Sequence, residues 1–225
     1  MANETGLIQP GKHSPFAKSN LNENWRNANY CVIDLETTGL DLGADEIVAI
    51  GVAHIRAGRI ATGENFYREV RPFRSPSVQS VRIHGLRASD LQDARPIKEV
   101  GPELIAEIES EILIAHAAWM ERAFLRRQIS PSTFPKSKSM IDTAGLARAL
   151  GYATEERREE PSLEFLARRL HLPVYAPHNA LGDALTTGVL FLAFATELER
   201  SQLAKGAHML TLKTLLETSN KHARS

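Results

Sequence analysis

The carboxylate pair Asp34 and Glu36 is the clearest candidate for chemistry in the sequence. The two acids are two positions apart in residues 30–36, which are rich in strand formers and precede a Thr-Thr-Gly turn. Because side chains alternate along a strand, both carboxylates point to the same face. Neighbouring acids repel each other, and a divalent cation removes that cost. The spacing therefore favours a cation site over a pair of surface acids.

A histidine and an aspartate lie far downstream, at the start of a predicted helix. Pro177 places His178 at the helix entrance, and Asp183 falls about one turn inside the helix. Alone, such a histidine is more often a cap or a surface residue. The pair gains its meaning from combination with the upstream acids.

Several motifs together resemble those of the DnaQ-like 3′–5′ exonucleases, the family of the proofreading epsilon subunit of bacterial DNA polymerase III. Residues 34–39 (DLETTG) resemble its first motif, and residues 178–183 resemble the third motif of the DEDDh branch. Residues 83–86 (IHGL) lie where the family has an Ile-His-Gly element, and residues 141–148 are also similar. The resemblance covers about residues 28–198.

The second motif departs from the family pattern of His-Asn, two residues, an aromatic residue and Asp. Here residues 116–121 read HAAWME. Ala117 replaces Asn, Met120 replaces the aromatic residue, and Glu121 replaces Asp. A carboxylate remains, so a metal ligand is still chemically possible at Glu121. The alternative is an exposed helix acid in a degraded site.

The resemblance implies two-metal hydrolysis of a phosphodiester at the 3′ end of single-stranded DNA or RNA. It assigns two Mg²⁺ or Mn²⁺ ions to a set of four carboxylates. These implied ligands are Asp34, Glu36, Glu121 and Asp183. His178 is the implied general base, because an imidazole with the ordinary pKa of about 6.5 accepts a proton near neutral pH.

The resemblance also implies contacts with the terminal nucleotide. The Thr37 backbone would contact the 3′ hydroxyl, Leu40 would wedge against the last base, and His84 would face the same nucleotide. The alternatives are turn formation for Thr37, core packing for Leu40 and a structural role for His84. Candidates for phosphate contact are Arg71, Arg74, Arg82 and Arg87 around His84, with a second cluster of Arg122, Arg126 and Arg127 beside Glu121. The alternative for the first four is that of ordinary solubilising residues.

Strands alternating with helices after an opening meander predict one α/β domain. The resemblance implies a ribonuclease H-like mixed five-stranded sheet flanked by helices. We expect an N-terminal arm at 1–27, in which Phe16 and Trp25 act as anchors, the exonuclease domain at 28–199, and a C-terminal helical tail at 200–225. The predicted strands cover residues 30–36, 46–56, 60–70 and 111–115, and one more starts at residue 140. The predicted helices cover residues 96–108, 119–127, 162–170, 179–199 and 203–216. Long loops are predicted at residues 71–87 and 152–160.

Composition limits the class of protein. The 225 residues include 27 Lys and Arg and 27 Asp and Glu, and this balance argues against a chain that coats nucleic acid by bulk attraction. Cys31 is the only cysteine, so no disulfide forms within the chain and a reducing compartment is expected. No run approaches the roughly 18 apolar residues of a membrane span. A cytoplasmic protein without membrane contact is predicted.

Three functions compete at this point. The first is an active exonuclease, and the second is a catalytically weakened module that binds nucleic acid or a polymerase. The third is a metal-dependent hydrolase of a small nucleotide, which the long 71–87 loop disfavours. The choice of DNA or RNA, a DNA polymerase partner and the oligomeric state, a homodimer included, stay open.

Overall fold

A computed structural model describes residues 20–129, 134, 140–153 and 160–223. The first 19 residues of the predicted arm, with the proposed anchor Phe16, lie outside this range. Residues 154–159 of the predicted charged loop also lie outside it.

Seven strands form one mixed sheet in the order β5-β4-β2-β1-β6-β7, with β3 paired to β2. β1 is antiparallel to β2 and parallel to β6, which is parallel to β7. The strands are β1 (Tyr30–Thr37), β2 (Ile47–Arg56), β3 (Arg59–Ile60), β4 (Phe66–Arg71), β5 (Arg95–Pro96), β6 (Ile112–Ala115) and β7 (Met140–Asp142). The five longer strands make the predicted mixed sheet, and the two-residue strands β3 and β5 extend it.

Helices cover both faces of the sheet, which confirms the predicted α/β architecture. The helices are α1 (Val78–His84), α2 (Ala88–Leu91), α3 (Ile97–Ile108), α4 (Ala118–Gln128), α5 (Thr143–Ala149), α6 (Leu163–Arg169), α7 (Ala180–Ala204) and α8 (Leu212–His222). Buried residues of α5, α6, α7 and α8 share one core, and those of α3 and α4 share the other.

Alternate residues of β1 enter the two cores. Tyr30 and Val32 pack in the core with α7, whereas Cys31 and Ile33 pack in the core with α3 and α4. Because the alternation has period two, Asp34 continues the α7 face. The sheet thus changes from apolar to acidic on that face towards the carboxyl end of β1.

Two predicted segments differ from the structure. The predicted loop 71–87 contains α1, which starts where Ser77 Oγ accepts a hydrogen bond from the Ser80 N–H at 3.0 Å and ends at Gly85 with φ 79°. The prolines that indicated a loop precede this helix, where they do not interrupt it. The predicted strand 60–70 is interrupted by a 3₁₀ turn at Thr62–Glu64.

The segments on both sides of the predicted boundaries at 27 and 199 pack together. Trp25 is fully buried, its backbone N–H donates to the Leu210 carbonyl at 3.2 Å, and its Nε1 donates to Glu199 at 3.1 Å. Asn24 forms an isolated β-bridge with Thr211. The predicted helix 179–199 continues to Ala204, and the next helix begins at Leu212 rather than at 203.

α7 has the length and apolar composition of a membrane-crossing helix, as the only such helix in the described part of the chain. Its buried side chains, including Leu190, Phe191 and Phe194, pack in the core over β1 and β2. This packing is that of the central helix of a folded domain.

Candidate active site

Asp34 and Glu36 lie on the same face of β1, as the strand alternation predicts. Leu35 between them is buried on the opposite face, in the core with α3 and α4. β1 is hydrogen-bonded to β2 along its length and to β6 over its first residues. The two carboxylates therefore project from a central strand whose position is fixed by both neighbours.

Asp183 reaches these acids through the first turn of α7. The helix starts at Asn179, whose side chain accepts a hydrogen bond from the Gly182 N–H at 3.1 Å. Single carboxylate oxygens of Asp34, Glu36 and Asp183 lie within 4.8 Å of one another. The structure thus brings together three of the four candidate ligands at the distance of a shared cation.

Two glycines allow α7 to approach this closely. Gly51 pairs with Asp34 across the sheet, and a Cβ at Gly51 would lie 2.2 Å from the carbonyl carbon of Ala180. A Cβ at Gly182 would lie 2.4 Å from the Tyr175 carbonyl oxygen. Gly51 lies outside the sequence motifs, although a glycine inside a strand indicates close backbone approach.

Glu121 completes the acidic group from the other side of the sheet. It lies in the first turn of α4, is only 7% exposed, and its Oε2 has no hydrogen-bond partner among the described residues. It is therefore not the exposed helix acid of the alternative interpretation. A buried carboxylate oxygen without a partner destabilises the folded protein, and a bound cation would provide the positive partner for it.

The residue that precedes α4 has an unusual conformation. Ala117 has φ 55°, in the left-handed region, and its N–H donates to Asp142 Oδ1 at 3.0 Å. Asn tolerates this conformation better than Ala does. Ala117, which replaces the Asn of the family motif, therefore keeps the geometry of the turn but is less suited to its left-handed conformation.

Burial and mutual repulsion disfavour the charged forms of these acids. Burial raises the pKa of Asp34 well above its usual range, and the charges of Glu121, Asp183 and Glu36 add to it. Burial and then Asp183 raise the pKa of Glu36 to about 7. Burial, followed by the charge of Glu36, raises the pKa of Glu121 well above its usual range. A group of carboxylate oxygens that repel one another is suited to bind a hard divalent cation such as Mg²⁺ or Mn²⁺.

His178 lies at the rim of the same site. It is exposed, has φ 59°, and its backbone N–H donates to Asp183 Oδ2 at 3.0 Å. A second imidazole, that of His84, lies close enough to interact with His178. Burial lowers the pKa of His84, the hydrogen bond with the Thr37 carbonyl opposes this shift, and the charge of His178 lowers the pKa further. The two imidazoles thus lie on the same rim.

A cavity of about 390 Å³ adjoins the acids. Thr37, Leu40 and His84 line it together with Glu36 and Glu121. His84 Nε2 donates to the Thr37 carbonyl at 3.2 Å. The Leu40 side chain is 73% exposed, so core packing does not account for it.

The turn that presents Thr37 depends on Asp45, a residue outside the sequence motifs. Asp45 Oδ1 accepts a hydrogen bond from Thr38 Oγ1 at 2.8 Å, and Asp45 Oδ2 accepts one from the Asp41 N–H at 2.8 Å. A Cβ at Gly39 would lie 2.3 Å from the same carboxylate. No local pattern indicates Asp45, because its partners are defined only by the folded turn.

The candidate arginines differ in their contacts. Arg126 donates to the Phe134 carbonyl at 2.6 Å and Arg127 to the Gly43 carbonyl at 3.2 Å, so both stabilise neighbouring backbone. Arg122 is half-buried within α4, with its Nε unpaired in the described part of the chain. The four around His84, namely Arg71, Arg74, Arg82 and Arg87, are all exposed.

A second group of ligand-type side chains, Cys31, His54 and Glu111, lies on the α3 side of the sheet. The Arg56 guanidinium donates to His54 Nδ1 at 2.8 Å and to Glu111 Oε2 at 2.7 Å. His54 Nε2 contacts Glu107 Oε1 at 2.7 Å. Arg56 thus supplies the positive charge at this cluster, which is a buried ion-pair network.

Comparison with known proteins agrees with this arrangement. The family model RNase_T, described as exonuclease, matches residues 31–191. A DNA polymerase III PolC-type protein of Thermotoga petrophila is 32% identical over 195 residues, which are 86% of this chain and 14% of that protein. A DNA polymerase III subunit epsilon-like protein of Rhodobacter capsulatus is 33% identical over 97% of this chain and 29% of its own length. The chain therefore spans less than a third of these relatives.

Solved structures show the same fold. Exonuclease X in complex with 5′ overhanging duplex DNA has a TM-score of 0.61 and 25% identity, over 84% of this chain and 99% of that chain. E. coli Exonuclease I in complex with a dT13 oligonucleotide has a TM-score of 0.64 and 14% identity, over 80% and 43% of the two chains. The matching family model, the polymerase III relatives and the shared fold together show that the chain belongs to the RNase_T exonuclease family and is a DnaQ-like exonuclease domain.

Proposed function

We propose that this domain is a metal-dependent 3′–5′ exonuclease that hydrolyses phosphodiester bonds at the 3′ ends of single-stranded DNA or RNA. One observation supports this proposal most strongly. Carboxylate oxygens of Asp34, Glu36 and Asp183 lie within 4.8 Å of one another, and the charge of Glu121 acts on Asp34 from α4. Glu36 and Glu121 line one cavity, and Glu121 Oε2 is buried with no partner among the described residues. Such a group of acids is unfavourable in the absence of cations. Membership of an exonuclease family indicates that the bound cations would serve phosphodiester hydrolysis.

The four carboxylates would hold two Mg²⁺ or Mn²⁺ ions. Bound divalent ions lower the pKa of water and stabilise the charge of the departing 3′ oxygen. The chain's own contribution is rigid placement: β1 fixes Asp34 and Glu36, and the cap at Asn179 fixes Asp183. The longer side chain of Glu121 extends from α4 into the same cavity, where its carboxylate replaces the usual aspartate of the family.

His178 would accept the proton of the attacking water on its imidazole ring. Its backbone N–H is held by Asp183, whereas its side chain is exposed and free to rotate towards the cavity. Because the backbone of the base is fixed to the ligand-bearing turn, a change of rotamer is sufficient to bring the imidazole towards the reacting atoms. The arrangement thus joins proton acceptance and ligand placement in one turn.

Thr37, Leu40 and His84 would bind the terminal nucleotide. Leu40 offers an exposed apolar surface to a base, and the backbone of Thr37 offers hydrogen-bonding groups to the sugar. His84 Nε2 is engaged by the Thr37 carbonyl, so His84 positions that backbone as well as lining the cavity. A pocket with apolar walls and few polar groups suits one nucleotide.

We also propose that this domain binds a DNA polymerase. This proposal is supported by relatives that are named DNA polymerase III PolC-type and DNA polymerase III subunit epsilon-like. A cytoplasmic location, which the sequence predicts, is consistent with replication enzymes of this type.

The test is cleavage of a 5′-labelled oligonucleotide with Mn²⁺ or Mg²⁺. We expect stepwise shortening of the labelled strand, which removal from the 3′ end produces, and complete inhibition by EDTA. Asp34→Asn is the matched control, since it removes one charge at constant size. Binding without shortening would identify a binding module, and hydrolysis of free nucleotides alone would identify a small-nucleotide hydrolase.

A further inference from the structure

Residues 70–89 form a positively charged surface in a chain with no net charge. This segment contains four arginines, Arg71, Arg74, Arg82 and Arg87, and no Asp or Glu, although the whole chain has 27 basic and 27 acidic residues. All four are exposed. Within the described ranges, none of the four forms an ion pair. The positive charge of this surface is therefore available to an anionic partner.

Phe73 lies within this positively charged segment. It is 86% exposed, the highest value among the exposed large apolar side chains of the described residues. Arg71 and Arg74 flank it in sequence, and the three residues line one shallow cavity of about 180 Å³. Arg71 Nη1 donates to the Gln92 carbonyl at 3.2 Å, and neither arginine forms an ion pair within the described residues. An aromatic ring between guanidinium groups without anionic partners matches the chemistry of a single strand, in which bases stack and phosphates bind cations.

The loop that presents Phe73 is fixed to the candidate active site. The Ser77 N–H and Ser80 Oγ donate to the Thr38 carbonyl at 3.0 and 2.9 Å. The Arg74 N–H donates to Glu46 Oε2 at 2.8 Å. Ser77 lines the cavity that Thr37 and Leu40 also line, and the four residue-to-residue steps from Phe73 to Ser77 span at most about 14 Å.

From this geometry we propose a nucleotide subsite at Phe73, upstream of the terminal nucleotide. The Phe73 ring stacks on a base, and Arg71 and Arg74 bind phosphate oxygens on either side of that base. The occupant is a single nucleic-acid strand whose 3′ end lies in the Thr37–Leu40 cavity, so the subsite rests on the proposed function. Because every base has a π-face, the subsite increases affinity for longer strands without selecting a sequence.

The test compares strands that do and do not reach the subsite. Dissociation constants are measured by fluorescence anisotropy in Ca²⁺ for a labelled ten-nucleotide oligothymidylate, and by competition for an unlabelled dinucleotide. Phe73→Ala should weaken binding of the ten-nucleotide strand by about 5- to 150-fold and leave the affinity for the dinucleotide unchanged. Phe73→Tyr should restore the affinity. Leu203→Ala, a substitution of a 45% exposed residue at the far end of α7, is the control.

The arginines are tested through salt dependence. Replacing both Arg71 and Arg74 by Ala should reduce the slope of log Kd against log salt by about 1.4, since each phosphate contact of a single strand contributes about 0.7. Equal affinity of Phe73→Ala and the wild-type protein for the long strand would overturn the subsite. So would a loss of affinity that is the same for the dinucleotide.

Hydrolysis by the wild-type protein in Mn²⁺ separates this proposal from the proposed function. An inactive protein whose long-strand affinity depends on Phe73 would overturn the nuclease and support the subsite. An active protein in which Phe73→Ala binds normally would overturn the subsite alone. A wild-type protein that binds no oligonucleotide would overturn the subsite.

Discussion

The backbone N–H of His178 and the carboxylate of Asp183 are joined by a hydrogen bond of 3.0 Å. The candidate base and a candidate metal ligand are therefore parts of one structural unit at the start of α7. A movement of this turn displaces both groups together, which links proton acceptance to ligand placement.

His178→Asn separates the role of the imidazole from that of the turn. Asn tolerates the left-handed conformation that His178 adopts at φ 59°, so the turn should be retained. We expect a loss of nuclease activity of about 10²- to 10⁴-fold, the usual contribution of a general base, with little change in Tm. Oligonucleotide cleavage and thermal unfolding measured on the same sample check this. Wild-type activity in His178→Asn would assign the residue to the turn alone.

Glu121→Gln should have opposite effects on activity and stability. Glu121 Oε2 is buried with no partner among the described residues, and removing this charge should stabilise the metal-free protein by about 1–3 kcal/mol, because the repulsion from the neighbouring acids is lost. The neutral amide is a poor ligand for Mg²⁺, so activity should fall by at least about 100-fold. Urea unfolding in EDTA and cleavage assays in Mg²⁺ provide the two measurements.

Glu121→Asp is the companion variant. It withdraws the carboxylate by one methylene, so we expect activity equal to or below that of the parent protein. Creation of activity in an inert parent would identify a degraded exonuclease, and full activity of Glu121→Gln would exclude Glu121 as a ligand.

The metal-free protein should lose stability as the pH rises from about 4.5 to 7. The folded-state pKa of Glu36 is raised to about 7, so in this range the folded protein holds a proton that the unfolded chain has lost. Stability from this group is fully present below its unfolded pKa and is lost as the pH rises through the folded pKa. Asp34 contributes in the same direction. Glu36→Gln should flatten the profile and raise the free energy of unfolding at pH 8 by about 1–3 kcal/mol.

The matched control for this profile is Glu109→Gln, which removes an exposed acid after α3. Mg²⁺ at pH 8 should raise the Tm of the wild-type protein by preferential binding to the folded state. It should raise the Tm of Glu36→Gln much less. A pH profile in Glu36→Gln identical to that of the wild-type protein would contradict the electrostatic description of the site.

Gly51→Ala should damage the site through the backbone. The added Cβ would lie 2.2 Å from the Ala180 carbonyl carbon, so α7 must move away from β2. We expect a loss of about 2–3 kcal/mol in stability and a larger proportional loss of Mg²⁺ affinity, because Asp183 moves with the helix. Gly63→Ala, where no atom lies within 4 Å of the new Cβ, is the control. Equal Mg²⁺ affinity in the two variants would show that this contact does not position Asp183.

The part of the site that could be predicted from sequence is local. Asp34 and Glu36 share a face because strand alternation requires it, and the motif order places His178 with Asp183 at a helix start. The contacts of Asp45 and the approach at Gly51 could not be predicted with the same certainty. They depend on which elements the fold brings together.

The same distinction applies to the fold. Continuous runs of strand formers predict β1 and β2, and both strands are buried on both faces for most of their length. α1 was not predicted, because Pro72 and Pro76 indicate a loop and the capping interaction of Ser77 is visible only in the folded chain. The packing of Trp25 against Leu210 joins residues far apart in sequence, which no local pattern can indicate.

This contact between Trp25 and Leu210 also determines when the domain can finish folding. Trp25 and Tyr30 enter a core that Leu210, Leu212 and Leu215 complete. At about 5–20 residues per second, roughly 10–40 s separate the synthesis of the first and last members of that core. During this interval the indole ring has no native partner from α8. The nascent chain must therefore hold an aromatic, apolar segment in solution until almost all of the domain has left the ribosome.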